Sequence, residues 1–133
     1  MRIRALLLGL LTFACRAKAP TYVQGGLYSV PYEQNKYLIV KVLKVDPDGV
    51  HVRTYSNVFT SRPQDIDEHK LYLAGMNHKP EEALGMGHIP LAKQAFDQWK
   101  PQLIKVVPVR DEELEGYKMW LDAKGGFFDF TKP

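Results

Sequence analysis

Four histidines, one cysteine and several paired carboxylates are the residues of this chain equipped to do chemistry. The histidines are His51, His69, His78 and His88. No two are spaced for one face of a helix and there is no His-x-His, so no metal site is expected. His88 is the best placed of them, following Gly85-Met86-Gly87 and preceding Ile89-Pro90-Leu91, which reads as a helix opening. Backbone N–H groups at a helix start receive anions, and a histidine there can act as acid or base. The segment lacks the third glycine of a dinucleotide loop and the lysine of a phosphate loop, so no cofactor is expected. His51 falls on the solvent face of a strand. Ser29, Ser56 and Ser61 stand outside any Gly-x-Ser-x-Gly elbow. Asp65/Asp67, Glu81/Glu82 and Glu112/Glu113 are carboxylate pairs in polar loops or at a helix start, where solvation is their ordinary role. Acid–base work needs two carboxylates in different environments across a cleft. A non-enzymatic binding role is therefore the first reading, with no catalytic residue assigned. A small hydrolase using His88 with Asp65 or Asp67 is the alternative, and a purely structural role is a third.

Binding, unlike catalysis, needs only a surface. Aromatic residues clustered between loops make peptide grooves, although most rings in a chain of this size belong to the core. The end of a strand at Tyr55-Ser56-Asn57, followed by Arg62 and joined by His88, is the surface expected to meet a partner protein.

These residues must be positioned by the stretch from Gly26 to Phe59, which is dense in β-branched and aromatic residues and reads as three strands. Leu27 to Tyr32 is a short strand whose Pro31 suits an edge or a strand end. Lys36 to Val45 places Tyr37, Ile39, Leu43 and Val45 on one face and Leu38, Val40 and Val42 on the other. Such a strand must be covered on both faces, or bend. Asp46-Pro47-Asp48-Gly49 supplies turn chemistry, with glycine expected in the left-handed position. The next strand sets Val50, Val52 and Thr54 against His51, Arg53 and Tyr55. His69 to Ala74 reads as another short strand, and Gly75 to Gly87 as an irregular excursion. A helix is expected from Pro90, with Leu91, Ala95 and Trp99 as its stripe and Pro101 as its stop. Leu103 to Val109 is β-rich. Asp111-Glu112-Glu113 starts a second helix, with Leu114, Tyr117 and Leu121 inward and Lys124-Gly125-Gly126 at its end. The fold class is α+β: a small bent antiparallel sheet or SH3-like barrel with two short C-terminal helices.

The front of the chain differs in kind. Arg2 and Arg4 precede the apolar run Ala5 to Ala14, which is shorter than the roughly 20 residues a bilayer-spanning helix needs. It has the length of a signal-peptide core. Cys15, the only cysteine of the 133 residues, follows at once. Ala5 to Cys15 resembles a bacterial lipoprotein signal, with Thr12 where such signals usually carry leucine. The resemblance implies removal of residues 1–14 and lipidation of Cys15. It also implies a tether over 15–25, a single globular domain over 26–133, and an address on the periplasmic side of the outer membrane. Cleavage after Ala17-Lys18-Ala19 is the rival, with Pro20 next in line. Without Arg2 and Arg4 the 18 basic residues become 16 against 15 acidic, so net charge gives no argument for nucleic acid. With Cys15 acylated, thiol catalysis and thiolate metal binding both drop out.

Gly26 to Asn57 is also similar to SH3-like or Tudor-like barrels, including those of bacterial toxin-immunity proteins. The likeness lies in the opening glycine–aromatic–small–apolar–proline pattern, the two-faced strand, the Asp-Gly turn and the following Val-x-Val-x-x-Tyr strand. It implies binding and blocking of a partner protein, not catalysis.

Overall fold

The structure is a computed structural model that describes residues 21–131. Cys15 and the apolar run before it lie outside the described residues. Among those described, no helix is long and apolar enough to cross a membrane.

The three expected strands form: β1 (Gly26–Tyr32), β2 (Lys36–Val45) and β3 (Gly49–Thr54). They are joined by β4 (Met86–Ala92) and β5 (Gln102–Val106) in one antiparallel sheet of order β4-β3-β2-β1-β5. β4 and β5 are the two edges, so the sheet is open, the bent-sheet form of the expectation. β1 is interior. It pairs with β2 from Leu27 to Tyr32 and with β5 from Gly26 to Ser29, and Pro31 lies just past the end of that second ladder. A residue without an N–H fits there because no β5 carbonyl waits for it.

Both faces of the sheet are covered, as the two-faced β2 requires. Tyr28, Val30, Val40, Val42, Val50, Val52 and Leu91 form one core under Phe96 of α1 (Lys93–Asp97). Leu27, Ile39 and Tyr55 form the other, packed against Phe59, Ile66, Leu71, Ile104 and Val107. The simple alternation of β2 is broken against β3. Val42 pairs with Val52 but Lys44 pairs with His51, so Leu43 is an extra residue in β2. This bulge moves Val45 to the face of Val42, and bends the strand.

Four local expectations change. Gly49 opens β3 with an ordinary negative φ, and is glycine because a Cβ there would sit 2.5 Å from both the Leu91 carbonyl oxygen and the Phe127 ring. Pro90 is in β4, opposite His51, and the helix begins only at Lys93. Residues 71–74 are not a strand. Ser56 and Asn57 take their backbone partners instead, with Ser56 N–H bonded to the Tyr72 carbonyl, Ser56 Oγ to Ala74 N–H and Asn57 Oδ1 to Tyr72 N–H. At the front, Tyr22 is no tether residue: it is buried on Tyr28 and Phe96 and its hydroxyl bonds Asp97.

The second helix, α2 (Glu115–Asp122), follows a 3-10 turn at Asp111–Leu114. Asp111 is not the cap of that turn. Arg110 takes that position, and Glu113 reaches back to accept the Arg110 N–H at 3.0 Å. At the far end Lys124, not a glycine, adopts the left-handed conformation, while a Cβ on Gly125 would lie 2.3 Å from the Trp120 ring.

Candidate functional site

Sheet pleating sends alternate residues to opposite faces, so the two sides of this sheet carry different chemistry. On the side of Leu27 and Ile39, a row runs across four strands: Lys105, Leu27, Lys41 and Arg53. Three cations on one row repel unless anions stand over them. Glu68 meets Lys105 at 2.8 Å and Glu113 meets Lys41 at 3.0 Å. Lys41 and Glu113 are each 3% exposed, and Lys41 also donates to the Pro108 carbonyl at 3.1 Å. Burial pushes the Glu113 carboxyl up, but the Arg110 N–H, Lys41 and Arg53 together hold it below the usual carboxylate range. It is a buried ion pair with its hydrogen bonds supplied.

Two residues from Arg53 on the same face of β3, His51 is fully buried, not solvent-facing. Its Nε2 lies 2.8 Å from Asp46 Oδ2 and its Nδ1 lies 2.9 Å from His88 Nε2. The carboxylate accepts, so His51 Nε2 carries a proton, His51 Nδ1 accepts, and His88 donates through Nε2. Tyr117 and Trp120 of α2 and Phe127 of the tail close edge-on or tilted around His51, at centroid distances of 4.7, 4.5 and 5.3 Å. Lys44 lies 5.5 Å over the Tyr117 ring. Burial lowers the pKa of His51 against the opposing pull of Asp46, and burial followed by the charge of His51 lowers that of His88 to about 4. Both shifts favour the neutral imidazole.

The residues picked out in the sequence are thus placed as follows. His88 is in β4, not ahead of a helix, and a Cβ on Gly116 would come within 2.5 Å of its own Cβ, so α2 sits directly on it. Its carboxylate is Asp46, reached through His51. Asp65 faces Lys105, and Asp67 caps the turn at His69. Asn57 is a loop staple, bonded to the Lys70 carbonyl and to Tyr72 N–H. Arg62 donates to Ser29 and to the Lys100 carbonyl and lies over the Tyr37 ring. Tyr55 is 8% exposed and lines a cavity with Lys41 and Glu113. Tyr55, Arg62 and His88 thus have different partners.

The opposite face carries what the sequence did not reveal. α1 is only five residues long, and Phe96 covers only part of the sheet. Beyond it opens a groove of about 600 Å³ walled by Val30, Tyr32, Leu38, Ile89, Met86 and Trp99, with Lys100 at its rim. Its volume and apolar walls are those of a ligand or peptide site. Neither this groove nor the Tyr55 cavity includes His88 in its wall. The signal for Lys41 was present in the sequence: a cation at the parity of Ile39 in a strand apolar on both faces has to find a buried partner. Trp99 gave no comparable signal, because its stripe with Leu91 and Ala95 fits a helix as well as it fits a strand followed by a turn.

No protein-family model, no curated protein and no solved structure matches this chain.

Proposed function

We propose that this protein is a lipid-anchored, non-enzymatic binding domain of the bacterial cell envelope, tethered through Cys15 on the periplasmic side of the outer membrane. It takes an apolar segment of a partner protein into the groove between α1 and the sheet, and an immunity-type blocking role is the form of binding we favour. The observation that carries the reading is the groove itself. It is large, apolar and aromatic-walled, and Met86 at its side is 42% exposed. The polar groups suited to catalysis are engaged with one another on the other face, under α2 and Phe127.

A second reading, a small envelope hydrolase using His88, has one observation in its favour. Asp46, His51 and His88 are hydrogen-bonded in the order carboxylate, imidazole, imidazole, which orients a base. That reading needs a substrate at His88 Nδ1 beneath α2, whereas the open groove is across the sheet.

The anchor is tested by mass spectrometry of the mature N-terminus from a bacterial host, alongside Cys15→Ala. An acylated Cys15 is expected, absent in the variant, which should leave the membrane fraction. An intact Met1, or an unmodified Cys15 in the membrane fraction, would remove the anchor and the address with it.

A further inference from the structure

We propose that the cavity beneath Tyr55 is a binding site for a small uncharged ligand, one carrying a primary carboxamide on an apolar stem. The cavity holds about 350 Å³, at the small end of ligand sites. Leu27, Leu71 and Val107 form its apolar wall and Lys41 and Glu113 its polar base, while Glu68, already paired with Lys105, stands at its border with His69 and Arg110.

Three polar atoms there are left with unused capacity. The Tyr55 hydroxyl belongs to a residue more than nine-tenths buried and bonds nothing among the described residues. Yet no buried side-chain nitrogen or oxygen is sealed off without a partner, so this hydroxyl opens to the cavity. Glu113 receives Lys41, Arg110 N–H and Arg110 Nε all on Oε1, which leaves Oε2 free to accept. Lys41 uses two of its three N–H groups, on Glu113 and on the Pro108 carbonyl.

The charge of the ligand follows from the ion pair. Lys41 and Glu113, each 3% exposed, neutralise each other at the base of the cavity, so a carboxylate or an ammonium lodged against them brings in an uncompensated charge beside buried groups. The head must be neutral, and it must donate to Glu113 Oε2 while accepting from Lys41 Nζ or Tyr55 O–H. A carboxamide carries donor and acceptor on adjacent atoms and meets both demands. The aliphatic wall then takes the stem. The site is independent of the groove, which lies on the other face of the sheet.

Three probes with one stem and three heads test this: isovaleramide, isovalerate and isoamylamine, titrated by calorimetry and by protein NMR. The amide is expected to bind saturably at millimolar concentration and to shift the ring resonances of Tyr55 but not those of Trp99. Tyr55→Phe keeps the ring and its packing, removes one hydrogen bond, and should weaken the amide about tenfold. Should that variant fold poorly, the resonance shifts of the unmutated protein decide the matter alone. Equal binding of the acid or the amine overturns the proposal, as does an unchanged affinity in Tyr55→Phe. Resonance shifts at Trp99 instead of Tyr55 also overturn it. So does saturation by none of the three probes, which would mean that the cavity holds water only.

Discussion

Glu113→Ala should destabilise this domain by about 3–5 kcal/mol, the cost of stranding a buried charge. A domain of this size has roughly 5–15 kcal/mol in hand, so the variant will stand near the edge of folding. The cause lies in the cross-strand row. Lys41 is opposite Arg53 and two places from Lys105, and Glu113 is the anion over Lys41. Its loss also removes the acceptor of Arg110 N–H, and with it the Lys41 contact that ties the 3-10 turn before α2 to the sheet. Lys41→Met combined with Glu113→Leu removes both charges together and should cost clearly less than Glu113→Ala alone. Urea midpoints of the three proteins measure this. A loss below about 1 kcal/mol for Glu113→Ala, the range of exposed ion pairs, would mean that the pair is open to water.

Acid should unfold the protein through His88 and His51. Burial, then the neighbouring His51 charge, takes the His88 pKa from 6.5 down to about 4. The folded state therefore holds His88 neutral while the unfolded chain binds a proton below pH 6.5. The contribution is fully present above pH 6.5 and is lost as pH falls from 6.5 toward 4, where it levels off. For His88 alone it amounts to about 3 kcal/mol, and the lowered pKa of His51 adds in the same direction. Lys44, Asp46 and Tyr117 are the other ionisable groups around His51, and Asp46 opposes the loss. Thermal midpoints should drop steeply between pH 6.5 and 4, and His88→Gln, which can still donate to His51 but does not titrate, should flatten that drop. A drop of equal size in His88→Gln would place the acid lability elsewhere.

How far these features could be read from the sequence depended on the range of the interaction. β1, β2 and β3 were legible because β-branched density and alternation are local, and so was the need to cover β2 on both faces. The bulge at Leu43 was not, since it is set by the pairing of Lys44 with His51 across the ladder. Pro90 is compatible with a helix start and with an outer strand, and only pairing with β3 decides between them. His51 followed the correct alternation to its own face. What the alternation could not tell was that α2, more than sixty residues later in the chain, would cover that face. The partners of Asn57 and Arg62 were out of reach for a related reason. Asn57 and Arg62 spend their donors on backbone carbonyls of distant segments, Lys70 in one case and Ser29 and Lys100 in the other. Tyr55 did prove to line a cavity, but by way of Lys41 and Glu113 and not of its sequence neighbours.

Site-specific photo-crosslinking in intact bacteria tests the central reading most directly, with the photoreactive residue at position 86 in the groove or at exposed position 118 on α2. A discrete crosslinked protein from position 86 and none from position 118 is the result expected of a groove that binds a partner. The same product from position 118 alone, or no product from either, would contradict it.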